Sequence, residues 1–145
     1  MEIPKYQQNK ELDLVMPLNQ IRLKAMAVFL RDGKTLVYKG YDPQKDETFY
    51  RLLGGAIEFG ETGEQAIHRE ILEELGSEIK NVKQISVVEN IFEYKGRAGH
   101  QVTFLFTADL VNEDLYSQDQ IQIVEQNYDA PMAEWISCQD VLDGK

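Results

Sequence analysis

The sequence contains only one cysteine in 145 residues, so no disulfide can form within the chain. This residue, Cys138, has no second cysteine and no patterned histidine near it. A metal site or a nucleophile built on a thiol is therefore a weak interpretation, and we expect Cys138 to be a buried structural thiol.

Long apolar runs are also missing. No segment approaches the roughly 18 apolar residues that a membrane-spanning helix needs, and residues 1–20 contain no apolar stretch of signal-peptide length. These absences predict a cytoplasmic protein without a membrane partner. Apolar residues still make up 43% of the chain, which is enough for one packed core but not for two full domains.

Positive charge is scarce as well. The chain has 15 Lys and Arg residues against 25 Asp and Glu residues, a net charge of −10, and its basic residues form no cluster. Because such a chain repels a nucleic-acid backbone, we expect no nucleic-acid partner. The acidic excess is compatible with a divalent cation that bridges carboxylates to a phosphate-bearing ligand, although a solvated acidic surface explains most of it.

The chain divides into a polar lead-in and one domain. Residues 1–20 mix charges and contain Pro4 and Pro17, so we interpret them as an N-terminal extension or lead-in strand before a domain at 21–145. Alternation and turn residues predict a strand at 22–30, an Asp-Gly hairpin turn into 35–38, and a strand at 49–53. Further along they predict an antiparallel pair at 82–94 and 101–111 with a mobile loop at 95–100, a short strand at 133–137 and a closing helix from Cys138 to Leu142.

The clearest helix is predicted at Gly63–Leu75. Thr62 and Gln65 have the spacing of a capping box, and Gly76 follows the last periodic residue. The apolar residues at helical spacing are expected to share one buried face; they are Ile67, Ile71, Leu72 and Leu75.

Three glutamates on this helix indicate a metal site. Glu70 lies three residues before Glu73 and four before Glu74, so their carboxylates project within reach of one another, on the side predicted to lie opposite the apolar face. Like charges at this spacing repel, and oxygen-only ligands select a hard cation such as Mg²⁺ or Mn²⁺. Taken alone the run also fits an ordinary exposed face, because glutamate is a good helix former.

The segment before the helix strengthens the metal interpretation. Gly54 and Gly55 end a predicted strand, where the absence of a Cβ lets the backbone turn tightly beside a ligand. The carbonyl of Gly54 is a candidate neutral ligand, and Glu61 adds another carboxylate. Arg69 is expected to pair with a loop acid and hold the loop against the helix, with a plain surface salt bridge as the alternative.

These residues resemble the Nudix box, G-x5-E-x7-R-E-U-x-E-E-x-G-U, in which U is apolar. The matching residues are Gly55, Glu61, Arg69, Glu70, Ile71, Glu73, Glu74 and Gly76. Ser77 departs from the pattern at the last apolar position, and Leu53 stands where many members have proline before the glycine pair. Neither departure removes a catalytic group.

The resemblance implies an α/β fold, a Nudix-type α/β/α sandwich with a mixed sheet, and a hydrolase of diphosphate linkages that uses Mg²⁺, with Mn²⁺ as a substitute. It also implies residue roles. Glu70 would be general base and ligand, Glu73 and Glu74 would be the principal ligands, and Glu61 and the Gly54 carbonyl would complete or support the site. Arg69 would belong to the same catalytic group, and Gly55 would lie against the substrate.

Residues outside the box are expected to complete the site. Members of the family often add one acid from a loop, and the candidates here are Glu125, Asp129 and Glu134, of which Asp129 is favoured because Asp-Ala-Pro forms a turn. Tyr94 falls near a tyrosine of members that act on dinucleoside polyphosphates. His68 is expected to be exposed, and His100 is a weak candidate for substrate contact.

The expected substrate is a small molecule in which a nucleoside diphosphate is linked to another group. A dinucleoside polyphosphate is slightly favoured over ADP-ribose, a nucleotide sugar or a modified nucleoside triphosphate. The alternative from another class is a Nudix-fold regulator that binds a nucleotide without cleaving it, and its sequence mark, loss of the box acids, is absent. A plain acidic structural domain without a ligand is a third hypothesis. Exposed strand edges are compatible with a homodimer.

Overall fold

The computed structural model describes residues 19–123 and 132–142. Its strands are β1 (Ile21–Val28), β2 (Leu30–Arg31), β3 (Lys34–Asp42), β4 (Glu47–Ala56), β5 (Ile79–Tyr94), β6 (Arg97–Leu110), β7 (Gln120–Gln122) and β8 (Met132–Ser137). Helix α1 spans Gly63–Leu75, a 3-10 helix spans Glu113–Ser117, and helix α2 spans Cys138–Leu142. No helix in the described part of the chain is long and apolar enough to cross a membrane.

The strands form one mixed sheet in the order β5-β6-β1-β4-β3-β8-β7, with β2 paired to β3. Only the β1–β6 pair is parallel among the described residues, since the other pairs are antiparallel. The α/β class and the mixed sheet predicted from the sequence are thereby confirmed.

The first strand differs from its prediction. The expected single strand at 22–30 is interrupted at Phe29, since β1 lies between β4 and β6 whereas β2 pairs with β3. The Asp-Gly turn is present, with φ of 53° at Asp32 and 74° at Gly33. Positive φ at both central residues is the type I′ geometry that matches the twist of a hairpin.

The predicted mobile loop at 95–100 is wrong. β5 and β6 are joined by a two-residue turn at Lys95 and Gly96, whose φ angles are 52° and 79°. The pairing starts at Tyr94 and Arg97, so residues that were assigned to the loop belong to β6. A two-residue type I′ turn fixes the register of the ribbon.

The core lies between α1 and the centre of the sheet. Ile67 and Ile71 of the helix are fully buried together with Ala25 and Ala27 of β1. Leu72 was expected on this face but is exposed. Cys138, the first residue of α2, is half-buried rather than buried as expected.

Candidate active site

Helix α1 begins and ends at the residues that the sequence predicts. The Thr62 hydroxyl accepts a hydrogen bond from the Gln65 backbone N–H at 3.1 Å, and the Gln65 side chain accepts one from the Thr62 N–H at 2.9 Å. Gly76 closes the helix in the left-handed conformation, with φ of 68°. Since the helix is fixed at both ends, the direction of each glutamate is fixed as well.

The glutamates of α1 differ in burial, contrary to the single exposed face that the sequence suggested. Glu74 is 0% exposed and Glu70 is 8% exposed, whereas the Glu73 side chain is 52% exposed. Glu70 and Glu74 are one turn apart and border the apolar face, so they are turned toward the sheet. Glu73 lies on the solvent side of the same cluster.

Gly55 makes room for Glu70. A Cβ at Gly55 would lie 2.3 Å from the Glu70 Cδ and 2.4 and 2.5 Å from its two carboxylate oxygens. The backbone of β4 therefore packs directly against the carboxylate of the helix. Of the two expected reasons for glycine at this position, packing against the helix is the one observed, because Gly55 does not have a positive φ.

Gly54 has the unusual backbone conformation instead. Its φ is 141°, and a Cβ there would lie 2.0 Å from the Ala25 carbonyl oxygen. No other residue type fits without moving β1. This conformation sets the direction of the peptide group whose carbonyl is the predicted neutral ligand.

Arg69 holds the loop before the helix, as the sequence predicted. Its Nε and Nη2 donate to the two carboxylate oxygens of Glu61 at 2.8 and 2.9 Å, and Nη2 also donates to the Ala56 carbonyl at 2.9 Å. Its Nη1 donates to Glu70 at 2.9 Å and lies 3.4 Å from Glu73. One guanidinium thus links the end of β4, the loop and the glutamates.

The charges in this network stabilise one another. Hydrogen bonds from Arg69 and from the Glu58 backbone lower the pKa of Glu61 from 4.5 to about 2, and the same pairing raises the pKa of Arg69. Both oxygens of Glu61 are engaged by Arg69, so the structure shows Glu61 anchoring the loop. Its role as a direct metal ligand remains a prediction.

Lys24 of β1 is a further charged residue in this region, and it was not predicted from the sequence. It is only 5% exposed, and burial, followed by repulsion from Arg51 and Arg22, lowers its pKa to about 7. Glu70 and Glu74 act in the opposite direction, which places Lys24 within electrostatic reach of both carboxylates. The burial of Lys24 has no local sequence signal, because Arg22 and Lys24 alternate with apolar residues along the chain and this pattern predicts a solvent-facing lysine.

Lys24 also lines a cavity of about 380 Å³. Basic, acidic, aromatic and amide side chains and one methionine surround this cavity; they are Lys24, Met26, Asp42, Lys45, Glu47, Phe49, Tyr50, Arg51, Asn90, Phe92, Glu93, Tyr94 and Gln101. A cavity of this size with aromatic walls and a few polar groups is typical of a small-molecule site.

Two hairpins meet at one end of the cavity. The rings of Phe49 in β4 and Tyr94 in β5 contact each other edge to face, with centroids 5.5 Å apart. Near them the Lys95 backbone N–H donates to the Asp42 carboxylate at 3.2 Å. Tyr94, a predicted substrate residue, therefore lines the cavity, although its contact with a substrate remains a prediction.

The other candidates lie elsewhere or outside the described residues. Glu134 is on β8 and accepts a hydrogen bond from Gln120 at 3.0 Å, and β3 separates β8 from β4. Glu125 and Asp129 fall outside the described residues. His68 is exposed as expected, while His100 lies within β6 opposite Ile91 rather than in a loop.

The donor set suits a hard cation. The box glutamates offer carboxylate oxygens and the preceding Gly54 offers a backbone carbonyl, which are groups that Mg²⁺ and Mn²⁺ accept as ligands. Within residues 19–123 and 132–142, no three Asp, Glu, His or Cys side chains are already arranged as a closed metal centre. Arg69 bonds to Glu70 and also approaches Glu73, so the guanidinium holds the carboxylates of this cluster together in the structure.

Comparison with known proteins identifies the family. Residues 21–145 match the model of the NUDIX domain. A protein of Pasteurella multocida named NAD-capped RNA hydrolase NudC is 31% identical over 110 residues, which cover 74% of this chain and 39% of that protein. A protein of the same name from Chromobacterium violaceum is 30% identical over 95 residues, covering 66% and 33%. This chain therefore spans well under half the length of these relatives.

Solved structures agree with the fold. A MutT NUDIX hydrolase from Burkholderia pseudomallei is 26% identical, with a TM-score of 0.61 and coverage of 88% of each chain. A NUDIX hydrolase from Nitrosomonas europaea has a TM-score of 0.58 at 22% identity, covering 86% of this chain and 78% of that one. Members of this family generally use a divalent metal ion and act on small nucleotide-like substrates. Together with the match over residues 21–145, these findings show that the chain belongs to the Nudix family.

Proposed function

We propose that this protein is a Mg²⁺-dependent pyrophosphohydrolase that cleaves the diphosphate linkage of a nucleoside diphosphate joined to another group. The observation that carries the proposal is the packing of the Glu70 carboxylate against Gly55, with Arg69 bonded to Glu70 and to the loop. This arrangement holds the Glu70 carboxylate against the backbone of a residue without a side chain, where a diphosphate can approach the helix closely.

The residues that would hold Mg²⁺, or Mn²⁺ in its place, are Glu70, Glu73, Glu74, Glu61 and the Gly54 carbonyl. When bound, such ions polarise the diphosphate and lower the pKa of a water molecule. Glu70 is the proposed general base, since its carboxylate is the one fixed from two sides, by Gly55 and by Arg69. Arg69 and Glu61 keep the loop in place and thereby keep the Gly54 peptide in position.

The proposed substrate is two nucleosides joined through phosphates. The cavity has aromatic walls near Tyr94, and Lys24 connects it electrostatically to Glu70 and Glu74. The relatives named NAD-capped RNA hydrolases are consistent with this class, because NAD also consists of two nucleosides joined by a diphosphate. A net charge of −10 disfavours contact along an RNA chain, so we propose a free dinucleotide.

The experiment is a substrate panel. Purified protein with Mg²⁺ is incubated with dinucleoside polyphosphates, NAD, ADP-ribose, nucleotide sugars and nucleoside triphosphates, and products are separated by chromatography. We expect a nucleoside monophosphate or diphosphate from at least one dinucleotide, loss of turnover with excess chelator, and recovery when Mg²⁺ is restored. Tight binding of a nucleotide without any turnover in Mg²⁺ or Mn²⁺ would replace the proposal with the regulator alternative.

We also propose that two copies pair through β5, which lies at one end of the sheet among the described strands. Lys83 lies near its beginning and Glu89 near its end, so antiparallel pairing centred on Ser86 places Lys83 opposite the partner's Glu89. Four exposed apolar residues lie along the same strand: Ile85, Val87, Val88 and Ile91. Sedimentation should show a dimer that Val87→Lys dissociates, and a wild-type monomer at micromolar concentration would contradict the pairing.

A further inference from the structure

A pair of carboxamides lines the cavity. Asn90 of β5 and Gln101 of β6 are direct register partners, and both line the cavity. Because side chains alternate along a strand, Asn90 shares its sheet face with Phe92 and Tyr94, which also line the cavity. Two amides are therefore placed side by side on the same surface as two aromatic rings.

Glycines keep the rings flat against the strands. Phe92 lies over Gly99, its register partner, where an added Cβ would be 2.5 Å from the ring. Phe49 lies in the same way over Gly40, where the distance would be 2.3 Å. Each ring thus occupies the space that a side chain would fill on the neighbouring strand, which fixes the ring positions at the cavity.

This combination fits a nucleobase. A flat aromatic ring offers a stacking surface for any base, whereas hydrogen-bonding groups at the base edge select one base over another. A carboxamide presents one donor and one acceptor side by side, which matches the adjacent donor and acceptor of adenine. Guanine presents two acceptors on the corresponding edge and suits arginine or lysine instead.

We infer that the cavity is the base site of the substrate and that it selects adenine, with Asn90 and Gln101 at the base edge and Phe49, Phe92 and Tyr94 as the aromatic surface. This inference rests on the proposed function, which assigns the phosphates of the substrate to the glutamates of α1. It assigns base specificity to residues far outside the box.

The test separates base recognition from catalysis. Binding of AMP, GMP and UMP is measured by calorimetry in excess chelator, where metal-dependent turnover cannot interfere. We expect AMP to bind about tenfold more tightly than GMP or UMP. Asn90→Ala should reduce this preference to about threefold or less, and Phe49→Ala should weaken all three nucleotides together.

Gln122→Ala is the matched control. Gln122 is also a carboxamide inside a strand, but it is exposed on β7 at the other end of the sheet and does not line the cavity. Its substitution should leave all three affinities unchanged. Equal binding of the three nucleotides by the wild type, an unchanged AMP preference in Asn90→Ala, or a similar loss in Gln122→Ala would each overturn the inference.

Kinetics distinguish this inference from the proposed function. With an adenine-containing dinucleotide, Asn90→Ala should raise KM about tenfold and leave kcat nearly unchanged, because Asn90 is not among the residues proposed to act on the diphosphate. Turnover without any base preference would overturn the base site and leave the proposed function standing. Selective AMP binding without turnover of any substrate would support the base site and overturn the proposed function.

Discussion

The contact between Gly55 and Glu70 makes a quantitative prediction. In Gly55→Ala the new Cβ would lie 2.3 to 2.5 Å from the Glu70 carboxylate, whereas ordinary contacts begin near 3.4 Å. The carboxylate must therefore retreat by about 1 Å, and a displacement of that size can cost on the order of a hundredfold in rate. Since Arg69 is bonded to Glu70, the loop is disturbed as well.

The cost in stability should be smaller than the cost in rate. Overpacking of one methyl group typically destabilises by about 1–3 kcal/mol, which is roughly 3–10 °C in Tm for a domain of this size. Gly55→Ala should therefore remain folded, with most of its kcat lost. Activity and Tm are measured on the same preparation, so a loss of rate cannot be attributed to unfolding.

Gly33→Ala is the control substitution. Gly33 has φ of 74° in the β2–β3 turn, and a Cβ there would meet nothing within 4 Å. The backbone strain should lower stability by about 1–2 kcal/mol and leave kcat close to the wild-type value. The reasoning is refuted if Gly55→Ala retains full kcat, or if the two variants lose activity in proportion to their loss of stability.

The remaining predictions concern the charged network. Glu74→Gln removes one of the two charges of the buried pair Glu70 and Glu74, so Tm without metal should not fall. Both kcat and the rise in Tm on adding Mg²⁺ should be sharply reduced. An unchanged kcat at saturating Mg²⁺ would contradict this prediction. Arg69→Lys keeps the charge but loses the fork that binds both oxygens of Glu61, so kcat should fall while Tm changes little, and full activity would show that the fork is dispensable. The pKa of Glu61 is lowered from 4.5 to about 2, so its stabilising contribution is fully present above pH 4.5 and is lost as the pH falls toward 2. The Tm difference between wild type and Glu61→Gln should accordingly shrink over that interval, and a constant difference would contradict the pairing.

Local signals in the sequence predicted the helix and its loop well. The capping box at Thr62 and Gln65 and the glycine at position 76 lie within a few residues of the structure they determine, so helix α1 was predicted with its observed bounds. The pairing of Arg69 with a loop acid is also short-range and was predicted correctly. The Asp-Gly turn at residues 32 and 33 has a strong residue preference and was predicted correctly too.

Features that depend on long-range contacts were not predictable in the same way. The interruption of the first strand at Phe29 follows from which neighbours β1 and β2 find in the sheet, and no local pattern encodes those neighbours. The burial of Glu74 depends on how α1 packs against the sheet. The turn at Lys95 and Gly96 was predicted as a longer loop over residues 95–100, which also contain Gly99, whereas in the structure Gly99 lies in β6 and makes room for Phe92.

The cavity is the part of the candidate site that was predicted least well from the sequence. Asn90 and Gln101 are separated in sequence and become neighbours only through the β5–β6 register. Lys24 joins them from β1, which pairs with β6 in parallel. Polar residues inside strands look like ordinary solvent-facing positions until the sheet places them on one surface.

The most direct test of metal-dependent diphosphate cleavage is a ³¹P NMR time course of an adenine dinucleotide with the purified protein, first in excess chelator and then after Mg²⁺ is added. We predict an unchanged diphosphate resonance in chelator, followed after Mg²⁺ by its disappearance and the growth of phosphomonoester signals. A diphosphate resonance that persists in Mg²⁺ and in Mn²⁺ across the substrate panel, or that disappears equally fast in chelator, would contradict the assignment.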